Sequence, residues 1–268
     1  MKILLIGDIV GRPGRAIIER QMVALREELG LDCVIANCEN AAGGAGITPN
    51  IANDLFRAGV DVLTSGNHVW RKKEAYELLK MDPRVIRPAN YPNGAPGSGS
   101  TIVETLAGQK VGVLNVMGRV FMEPLDCPFR TAEKELERVR LVTPVIIVDM
   151  HAEATSEKVA MGWFLDGKVS AVFGTHTHIP TADERILPQG TAFITDVGMT
   201  GPYDSVIGRR VDQILERFLS SLPMKSDVAD ANIQLRGLIV EVHPTTGKAL
   251  SIERLTRTLD GPVRSSGD

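Results

Sequence analysis

Cysteine is scarce in this 268-residue chain, and its scarcity excludes two ways of holding a fold together. There are three cysteines, an odd number, at Cys33, Cys38 and Cys127. The first two belong to one predicted strand, where their odd spacing turns their side chains to opposite sides. We therefore expect neither a disulfide framework nor a zinc knuckle.

The chain also lacks a long apolar run. The N-terminal run Ile3–Ile6 is too short for a signal peptide, and no small-residue cleavage site follows it. We therefore expect a cytoplasmic protein with no membrane segment. With 43% apolar residues, the chain is long enough for one large core, so we expect residues 1–260 to form a single domain. The tail Gly261–Asp268 is expected to be flexible.

A strong excess of one charge is missing as well. The formal net charge is -3, with acidic and basic residues interspersed along the chain. This balance argues against stable binding to a nucleic-acid duplex, which depends on many basic contacts to phosphate. A small anionic substrate held by metal ions, such as a nucleotide, remains compatible with the composition.

Apolar runs rich in β-branched residues alternate with helical patterns along most of the chain. Strands are predicted at Ile3–Ile6, Val34–Ala36, Val60–Leu63, Val111–Val116, Val145–Val148 and Val169–Phe173. Helices are predicted at Arg15–Leu29, Pro49–Ala58, Lys72–Leu79, Ala132–Leu141, Ser156–Phe164 and Arg210–Leu222.

Two antiparallel hairpins interrupt this alternation. One joins Thr101–Leu106 to Lys110–Val116, and the other joins Leu235–Val242 to Ala249–Leu255. A single doubly wound sheet does not accommodate this mixture of parallel and antiparallel strand pairing. We therefore predict an α/β fold in which two mixed sheets pack together with helices outside, a four-layer αββα sandwich.

Four of the five histidines fall in three short clusters, each directly after a predicted strand. The clusters are Gly66–His68, Asp149–Glu153 and Gly174–His178. Asp8 follows the first strand in the same way, and Glu39 with Asn40 follows the second. Five strand ends thus bring carboxylate, amide and imidazole groups to one edge, and divalent iron, manganese and zinc accept these ligands. The sequence predicts a dinuclear metal site.

Taken alone, each candidate ligand has an ordinary structural alternative. An aspartate such as Asp8 after a strand is commonly a turn former or a helix cap, and Gly66–His68 is compatible with a turn holding a hydrogen-bonded histidine. Glu39 differs because its neighbours are apolar, and a buried glutamate without a partner is costly. On an extended backbone, the spacing of His176 and His178 would turn both rings to the same side, a common ligand geometry.

The order of these residues resembles the calcineurin-like metallophosphoesterase superfamily, and the match covers most of the chain. The resemblance is closest to the YmdB-type bacterial 2′,3′-cyclic nucleotide phosphodiesterases, through the strings Gly7–Gly11, Asn37–Asn40, His151–Lys158 and Thr195–Met199. Two positions depart from the wider superfamily. Val10 stands where the usual Asp-x-His opening has its histidine, and Glu39 replaces the usual bridging aspartate. The YmdB-type branch shares both departures.

The resemblance implies the calcineurin-like fold and a role for each ligand. One metal would be held by Asp8, Glu39 and His178, and the other by Glu39, Asn40, Asn67, His151 and His176. A hydroxide shared by the two metals would attack phosphorus in line. His68, assigned to no metal, would protonate the leaving sugar oxygen. Iron is the implied metal, and the mixed nitrogen and oxygen ligands also suit manganese or zinc.

Substrate contacts are expected at Arg12, Thr200 and Tyr203. The position of Arg12 at a predicted helix start favours an anion, although a solvated arginine is equally compatible with the sequence. Thr200 and Tyr203 lie in a run that would line the pocket. Glu153 is expected to orient His151 or another ligand.

Several alternatives stay open at this stage. The first strand, turn and helix mimic a dinucleotide-binding oxidoreductase, but Gly7, Gly11 and Gly14 do not give G-x-G-x-x-G, and Asp8 would face the pyrophosphate. The sequence does not separate an enzyme from a metal-dependent regulator that binds nucleotides. The same metals serve phosphomonoesterases and 5′-nucleotidases, and the resemblance alone favours 2′,3′-cyclic over 3′,5′-cyclic nucleotides. A homo-oligomer is expected on general grounds.

Overall fold

The computed structural model describes residues 1–259. The strands in this part of the chain are β1 (Lys2–Ile6), β2 (Asp8–Ile9), β3 (Cys33–Asn37), β4 (Val62–Thr64), β5 (Ser100–Glu104), β6 (Lys110–Met117), β7 (Ile146–His151), β8 (Ala171–Thr175), β9 (Arg185–Ile186), β10 (Ala192–Ile194), β11 (Met199–Pro202), β12 (Ile233–Val242) and β13 (Ala249–Thr258). The α-helices are α1 (Gly11–Leu29), α2 (Pro49–Arg57), α3 (Glu74–Met81), α4 (Pro128–Val139), α5 (Thr155–Leu165) and α6 (Val211–Ser220). A short 3-10 turn occupies Val69–Arg71.

The strands form two mixed sheets. The first has the order β2-β11-β12-β1-β3-β4, with β13 paired to the other side of β12. Its central strand β1 is antiparallel to β12 and parallel to β3. The second sheet has the order β5-β6-β7-β8-β10-β9, in which β6, β7, β8 and β10 run parallel. Both predicted hairpins are present, as β5 with β6 and β12 with β13.

Three apolar layers separate the sheets and helices. Alternate residues of β1 point to opposite faces, so Leu5 packs between the two sheets while Leu4 packs toward α1 and α2. The layer between the sheets also contains Phe173 of β8, and the layer beneath α4 and α5 contains Val148 of β7 and Met161. The four-layer αββα sandwich expected from the sequence is confirmed, and its central strands read as continuous apolar runs because both of their faces are buried.

The predicted helices are all present with shifted ends, and four short strands were missed. Helix α4 begins at Pro128 instead of Ala132, because proline is well suited to the first turn. Thr48 caps α2, with its hydroxyl oxygen accepting the N–H of Ile51. The missed strands β2, β9, β10 and β11 have two to four residues each, too few to show a period.

The three cysteines agree with the expectation from the sequence. Cys33, Cys38 and Cys127 are free thiols. Cys33 faces the layer between the sheets and Cys38 the layer beneath the helices, as expected from their spacing. The single-domain boundary near residue 260 stays a prediction, and the tail expected at Gly261–Asp268 lies outside the described residues.

Helices long and apolar enough to cross a bilayer are absent from residues 1–259.

Candidate metal centre

The predicted ligands come together at one edge shared by the two sheets. Asp8 lies in β2, directly after β1, while Glu39 and Asn40 form the turn after β3. Asn67 and His68 follow β4, His151 ends β7, and His176 and His178 follow β8. Because the carboxyl ends of β1, β3, β4, β7 and β8 meet at this edge, side chains more than 160 residues apart in the chain become neighbours: the His176 N–H donates to Asp8 Oδ2 at 3.0 Å.

Glu39, His151 and His176 form the centre of the cluster. One potential ligand atom from each lies within 4.8 Å of the others. His151 Nε2 is 3.3 Å from Glu39 Oε2, 3.1 Å from His176 Nδ1 and 3.2 Å from Asn67 Oδ1. Glu39 is 1% exposed and His151 is fully buried, so water solvates neither group well. These four side chains therefore converge on one small volume.

Contacts on the outer side of each histidine fix which ring nitrogen faces the cluster. His178 Nδ1 lies 3.0 Å from the Ile207 carbonyl oxygen, which can only accept. His176 Nε2 lies 3.2 Å from Glu153 Oε2, and His151 Nδ1 lies 2.9 Å from a Thr175 hydroxyl that itself donates to Asp149. Each outer nitrogen therefore carries hydrogen, and each inner nitrogen presents a lone pair, the arrangement of metal-binding histidines.

The inner atoms of the cluster are acceptors that require a positive charge between them. With neutral rings, His151 Nε2, His176 Nδ1, Asn67 Oδ1 and Glu39 Oε2 face one another without a hydrogen to share. Neighbouring acceptors of this kind repel unless a proton or a cation lies among them. The donor set fits a metal ion of the kind that accepts mixed imidazole and oxygen ligands.

The pKa values of the cluster show the same demand for positive charge. Burial acts to lower the pKa of His151, but the carboxylates of Glu39 and Asp8 outweigh it and raise that pKa to about 9. Burial and the charge of His151 lower the pKa of His176 to about 3. Burial acts to raise the pKa of Glu39, but contacts with His151 and His68 bring it well below its usual value.

A second group of ligand atoms adjoins the first. Asp8 is fully buried, and burial raises its pKa above the usual value. Its Oδ1 atom has no hydrogen-bond partner among residues 1–259, and it lies 3.8 Å from His178 Nε2 and 3.9 Å from His151 Nδ1. A buried carboxylate oxygen without a donor is unfavourable, and a cation beside it would remove that cost. Glu39 lies between the two groups, because Oε2 faces His151 while Oε1 faces Asn40 Nδ2 at 3.2 Å.

Asn40 links the cluster to His68. Its Oδ1 atom lies 2.9 Å from His68 Nδ1, and its Nδ2 atom lies 3.2 Å from His178 Nε2. In this orientation the amide nitrogen faces the ligand atoms, so binding of a metal by Asn40 would require the amide to exchange its two ends. The backbone N–H of His68 also donates to Glu39 Oε2 at 2.9 Å, and the His68 side chain is 30% exposed.

The backbone of the last histidine pair corrects one expectation. His176 and His178 are not on an extended segment: both have left-handed φ angles, 95° and 67°. Such angles are uncommon outside glycine and are held in place by surrounding contacts. Both rings face the cluster because of this turn, and the two-residue spacing of an extended strand plays no part.

Sequence reasoning missed a buried polar network beneath His151. Asp149 is fully buried and accepts hydrogen bonds from Thr64 Oγ1 at 2.5 Å, Thr175 Oγ1 at 2.7 Å and Asn37 Nδ2 at 3.1 Å. Burial outweighs these hydrogen bonds and raises the pKa of Asp149 to about 6. An aspartate inside an otherwise apolar strand was the available signal. Through Thr175, this network orients His151.

A glycine keeps the centre open. A Cβ atom on Gly66 would fall against His151 Nε2 and Glu39 Oε2, so only glycine leaves room for both ligand atoms at this point. Glycine is therefore required at the first position of the turn Gly66–His68, because the two ligand atoms occupy the space that a side chain would fill.

The three expected substrate contacts have different surroundings. Arg12 lies in the first turn of α1, and its buried Nη2 atom has no hydrogen-bond partner in the described part of the chain. Thr200 is fully buried, with its hydroxyl bonded to the backbone of Arg236. The Tyr203 hydroxyl donates to the Met199 carbonyl at 2.9 Å. Substrate contact by Thr200 or Tyr203 stays a prediction that these contacts do not support.

Comparisons with known proteins find similar sequences and structures. The family model described as "YmdB-like protein" matches residues 4–255. A Bacillus subtilis protein named 2′,3′-cyclic-nucleotide 2′-phosphodiesterase is 47% identical, over 95% of this chain and 96% of its own. Crystal structures of a hypothetical protein from Thermus thermophilus and of a phosphatase from Mycoplasma pneumoniae both align with a TM-score of 0.90, at 41% and 34% identity. Both alignments cover 96% of this chain, with 99% of the Thermus and 93% of the Mycoplasma chain.

Proposed function

The chain belongs to the YmdB-like protein family, and from that membership and the ligand cluster we propose that it hydrolyses 2′,3′-cyclic nucleotides at a dinuclear metal site. The name of the Bacillus subtilis relative supports this substrate, and the names of two relatives support phosphoester hydrolysis as the class of reaction. The observation that carries the proposal is the convergence of inner acceptor atoms from Glu39, Asn67, His151 and His176, because this arrangement requires a positive charge among them and a metal ion would supply it.

The two groups of acceptors support two ions with Glu39 between them. We assign Asp8, Glu39 and His178 to one ion, and Glu39, Asn40, Asn67, His151 and His176 to the other. When bound, divalent ions neutralise the charge of a phosphoryl group and lower the pKa of water beside them. Iron is our first choice, and manganese and zinc accept the same mixture of imidazole and oxygen ligands.

His68 is our choice of proton donor. Its Nδ1 atom lies 2.9 Å from Asn40 Oδ1, so an Nδ1–H bond to that oxygen orients the ring and leaves Nε2 for another partner. The ring is partly exposed, whereas the His151 ring beside it is fully buried. A histidine at the border between cluster and solvent is suited to deliver a proton to the sugar oxygen that leaves phosphorus.

Arg12 is our choice of phosphate contact. It lies one residue after Gly11, whose N–H donates to the Asn40 carbonyl at 2.9 Å, so the start of α1 adjoins the ligand turn. Its unpartnered Nη2 atom is a donor that a phosphate oxygen would satisfy.

The test is a product assay on protein whose metal content has been measured. Purified protein loaded separately with Fe²⁺, Mn²⁺ and Zn²⁺ would be assayed with 2′,3′-cyclic nucleotides, 3′,5′-cyclic nucleotides and nucleoside monophosphates. We expect the highest kcat/KM with a 2′,3′-cyclic substrate and slower reaction with 3′,5′-cyclic ones. Preference for monophosphates would make the protein a phosphomonoesterase or 5′-nucleotidase instead. Binding of cyclic nucleotide by metal-loaded protein without any turnover would make it a regulator.

Assembly with a second copy of the chain is also proposed. Of the residues in α6, only Ile214 is buried, while Phe218 and Leu219 are 74% and 87% exposed. A ten-residue helix has little stability without packing. Within α6, Val211, Leu215 and Phe218 have the spacing of a helix-to-helix seam, and α6 of a second copy would supply a matching one. The cytoplasmic location and the lack of stable binding to nucleic-acid duplexes stay predictions.

A further inference from the structure

A buried ion pair lies behind the turn that carries two of the histidines. Lys158 of α5 is fully buried, and its Nζ atom donates to Asp196 Oδ2 at 2.6 Å. Asp196 is 1% exposed and follows β10. Both residues belong to strings that carry the family resemblance, yet neither lies among the ligands. A fully buried pair of this kind is a weak source of stability, so its presence needs another reason.

Asp196 holds the ligand turn through Thr177. The same Oδ2 atom accepts hydrogen bonds from the Thr177 hydroxyl at 2.7 Å and the Thr177 N–H at 3.2 Å. Thr177 is the residue between His176 and His178, both of which have left-handed φ angles. Residues in this conformation are strained, and they keep it only where surrounding contacts hold them. Asp196 supplies two of those contacts at the middle of the turn.

The segment that follows Asp196 is hydrogen-bonded to both ends of the turn. The Val197 N–H donates to the Gly174 carbonyl at 3.0 Å, and the Met199 N–H donates to the His178 carbonyl at 3.2 Å. Asp196 Oδ1 accepts the Gly198 N–H at 2.8 Å, which fixes the carboxylate in this segment. Residues 174 to 178 are therefore held by hydrogen bonds at their start, middle and end.

We propose that Asp196, held by Lys158, is a positioning residue that sets the directions of His176 and His178 toward the metal ions. The inference rests on the proposed metal site. Asp196 acts through Thr177, since its carboxylate is bonded to Lys158, Thr177 and Gly198. Lys158 balances the carboxylate charge in the core, because an isolated ion there is strongly unfavourable.

The discriminating variant is Thr177→Val, which removes the hydroxyl bond but leaves the Lys158–Asp196 pair intact. If the pair serves only the stability of the fold, this change leaves metal affinity unaltered. If the pair positions the turn, metal affinity falls. Contacts that orient metal ligands typically contribute 10- to 100-fold in affinity. Thr177→Ser restores the hydroxyl, and we expect it to bind metal nearly as the parent chain does.

Thr191→Val is the matched control. Thr191 is fully buried, and its hydroxyl accepts the Gly167 N–H at 2.9 Å and donates to the Val169 carbonyl at 2.7 Å. Thr191 precedes β10, whereas Asp196 follows it, so this change removes a hydroxyl that is more deeply buried than that of Thr177, at the opposite end of the strand. We expect a lower melting temperature with unchanged metal affinity.

The experiment is calorimetric titration of Mn²⁺ into metal-free protein, with the melting temperature of each variant measured alongside. We expect Thr177→Val and the double variant Lys158→Met with Asp196→Asn to bind Mn²⁺ 10- to 100-fold more weakly while remaining folded. The visible absorption of Co²⁺-loaded protein, which reports ligand geometry, should change in the same two variants. Parent-like Mn²⁺ affinity and Co²⁺ spectrum in both would overturn the positioning role. A parent chain that binds neither Mn²⁺, Fe²⁺ nor Zn²⁺ would overturn the metal site itself, and the positioning role with it.

Discussion

His151 Nε2 lies 3.1 Å from His176 Nδ1, with Glu39 Oε2 3.3 Å from the same His151 nitrogen. Neutral imidazoles cannot share this contact favourably, because both inner nitrogens present lone pairs. In the metal-free protein a proton on His151 meets the demand, and its pKa is raised to about 9 despite burial of the ring. A metal ion and this proton therefore compete for the same position.

Proton release on metal binding is the first prediction. Because the metal-free site holds a proton on His151 up to about pH 9, apparent Mn²⁺ affinity should rise with pH between 6.5 and 9 and then level off. Calorimetric titration in buffers of different ionisation enthalpy measures the released protons directly. If the buffer takes up no proton when metal binds at pH 7, the assignment of the proton to this site is contradicted.

The same histidine sets a pH dependence of the metal-free fold. Its folded-state pKa, about 9, lies above the value of 6.5 for an unfolded histidine. The stability that it contributes is therefore fully present below pH 6.5 and is lost as pH rises through about 9. The unfolding free energy of metal-free protein, measured in urea, should fall across this window. The variant His151→Gln should show a flatter profile there, and an identical slope would rule out His151 as its source.

Metal removal should destabilise the protein. An ion that binds only the folded chain, at a free concentration 100 times its dissociation constant, adds about 2.7 kcal/mol to the unfolding free energy. We expect the melting temperature to drop when a chelator is added and to recover with Mn²⁺. His243→Gln is a matched control, because His243 is exposed in the turn between β12 and β13. If His151→Gln responds to chelator as strongly as His243→Gln does, the ion binds elsewhere.

Gly66→Ala should abolish metal binding without unfolding the chain. The added methyl group would occupy space between His151 Nε2 and Glu39 Oε2, so we expect at least a 100-fold loss of Mn²⁺ affinity, the upper end for single changes around a metal. Gly94→Ala, where a Cβ meets no atom of the described residues within 4 Å, serves as the control and should cost only about 1–2 kcal/mol of stability for its positive φ. Equal Mn²⁺ affinity in the two variants would show that the centre is not where the ligands converge.

The sequence could predict the layers and most ligands because both depend on strand ends. Apolar runs such as Val145–Val148 mark strands buried on both faces, and parallel strands bring the residues after them to one edge. Glu39 and His151 were therefore predictable together although they are far apart in the chain.

The finer geometry depends on contacts that no local pattern contains. The turn with the left-handed angles of His176 and His178 is hydrogen-bonded to Asp196 and Met199, which reach it from another segment. Thr200 was expected to line the pocket, but it lies in β11, a four-residue strand containing Gly201 and Pro202 that carries little strand signal. The end of Asn40 that faces the cluster likewise depends on His68, which comes 28 residues later.

Leu219→Glu should weaken self-association. Leu219 is 87% exposed on the apolar side of α6, so a charge there would be buried without a partner in a helix-to-helix contact. Sedimentation velocity should show an oligomer for the parent chain and a monomer for the variant at the same concentration. Leu106→Glu, at an exposed leucine between β5 and β6, should leave the assembly unchanged. A monomeric parent chain would remove the basis for a second copy on α6.

His68→Ala should slow turnover much more for a substrate with a poor leaving group than for one with a good leaving group. A ribose oxygen leaves as a poor anion and needs a proton, so loss of a general acid should lower kcat by about 10²- to 10⁴-fold on a 2′,3′-cyclic nucleotide. A p-nitrophenyl phosphodiester releases a stable phenolate and needs little protonation, so the same variant should retain most of its rate on it. Because His68 Nδ1 contacts Asn40, Mn²⁺ titration must show that the variant still binds metal. Equal rate losses on both substrates would mean that His68 acts on the ligands rather than on the leaving oxygen.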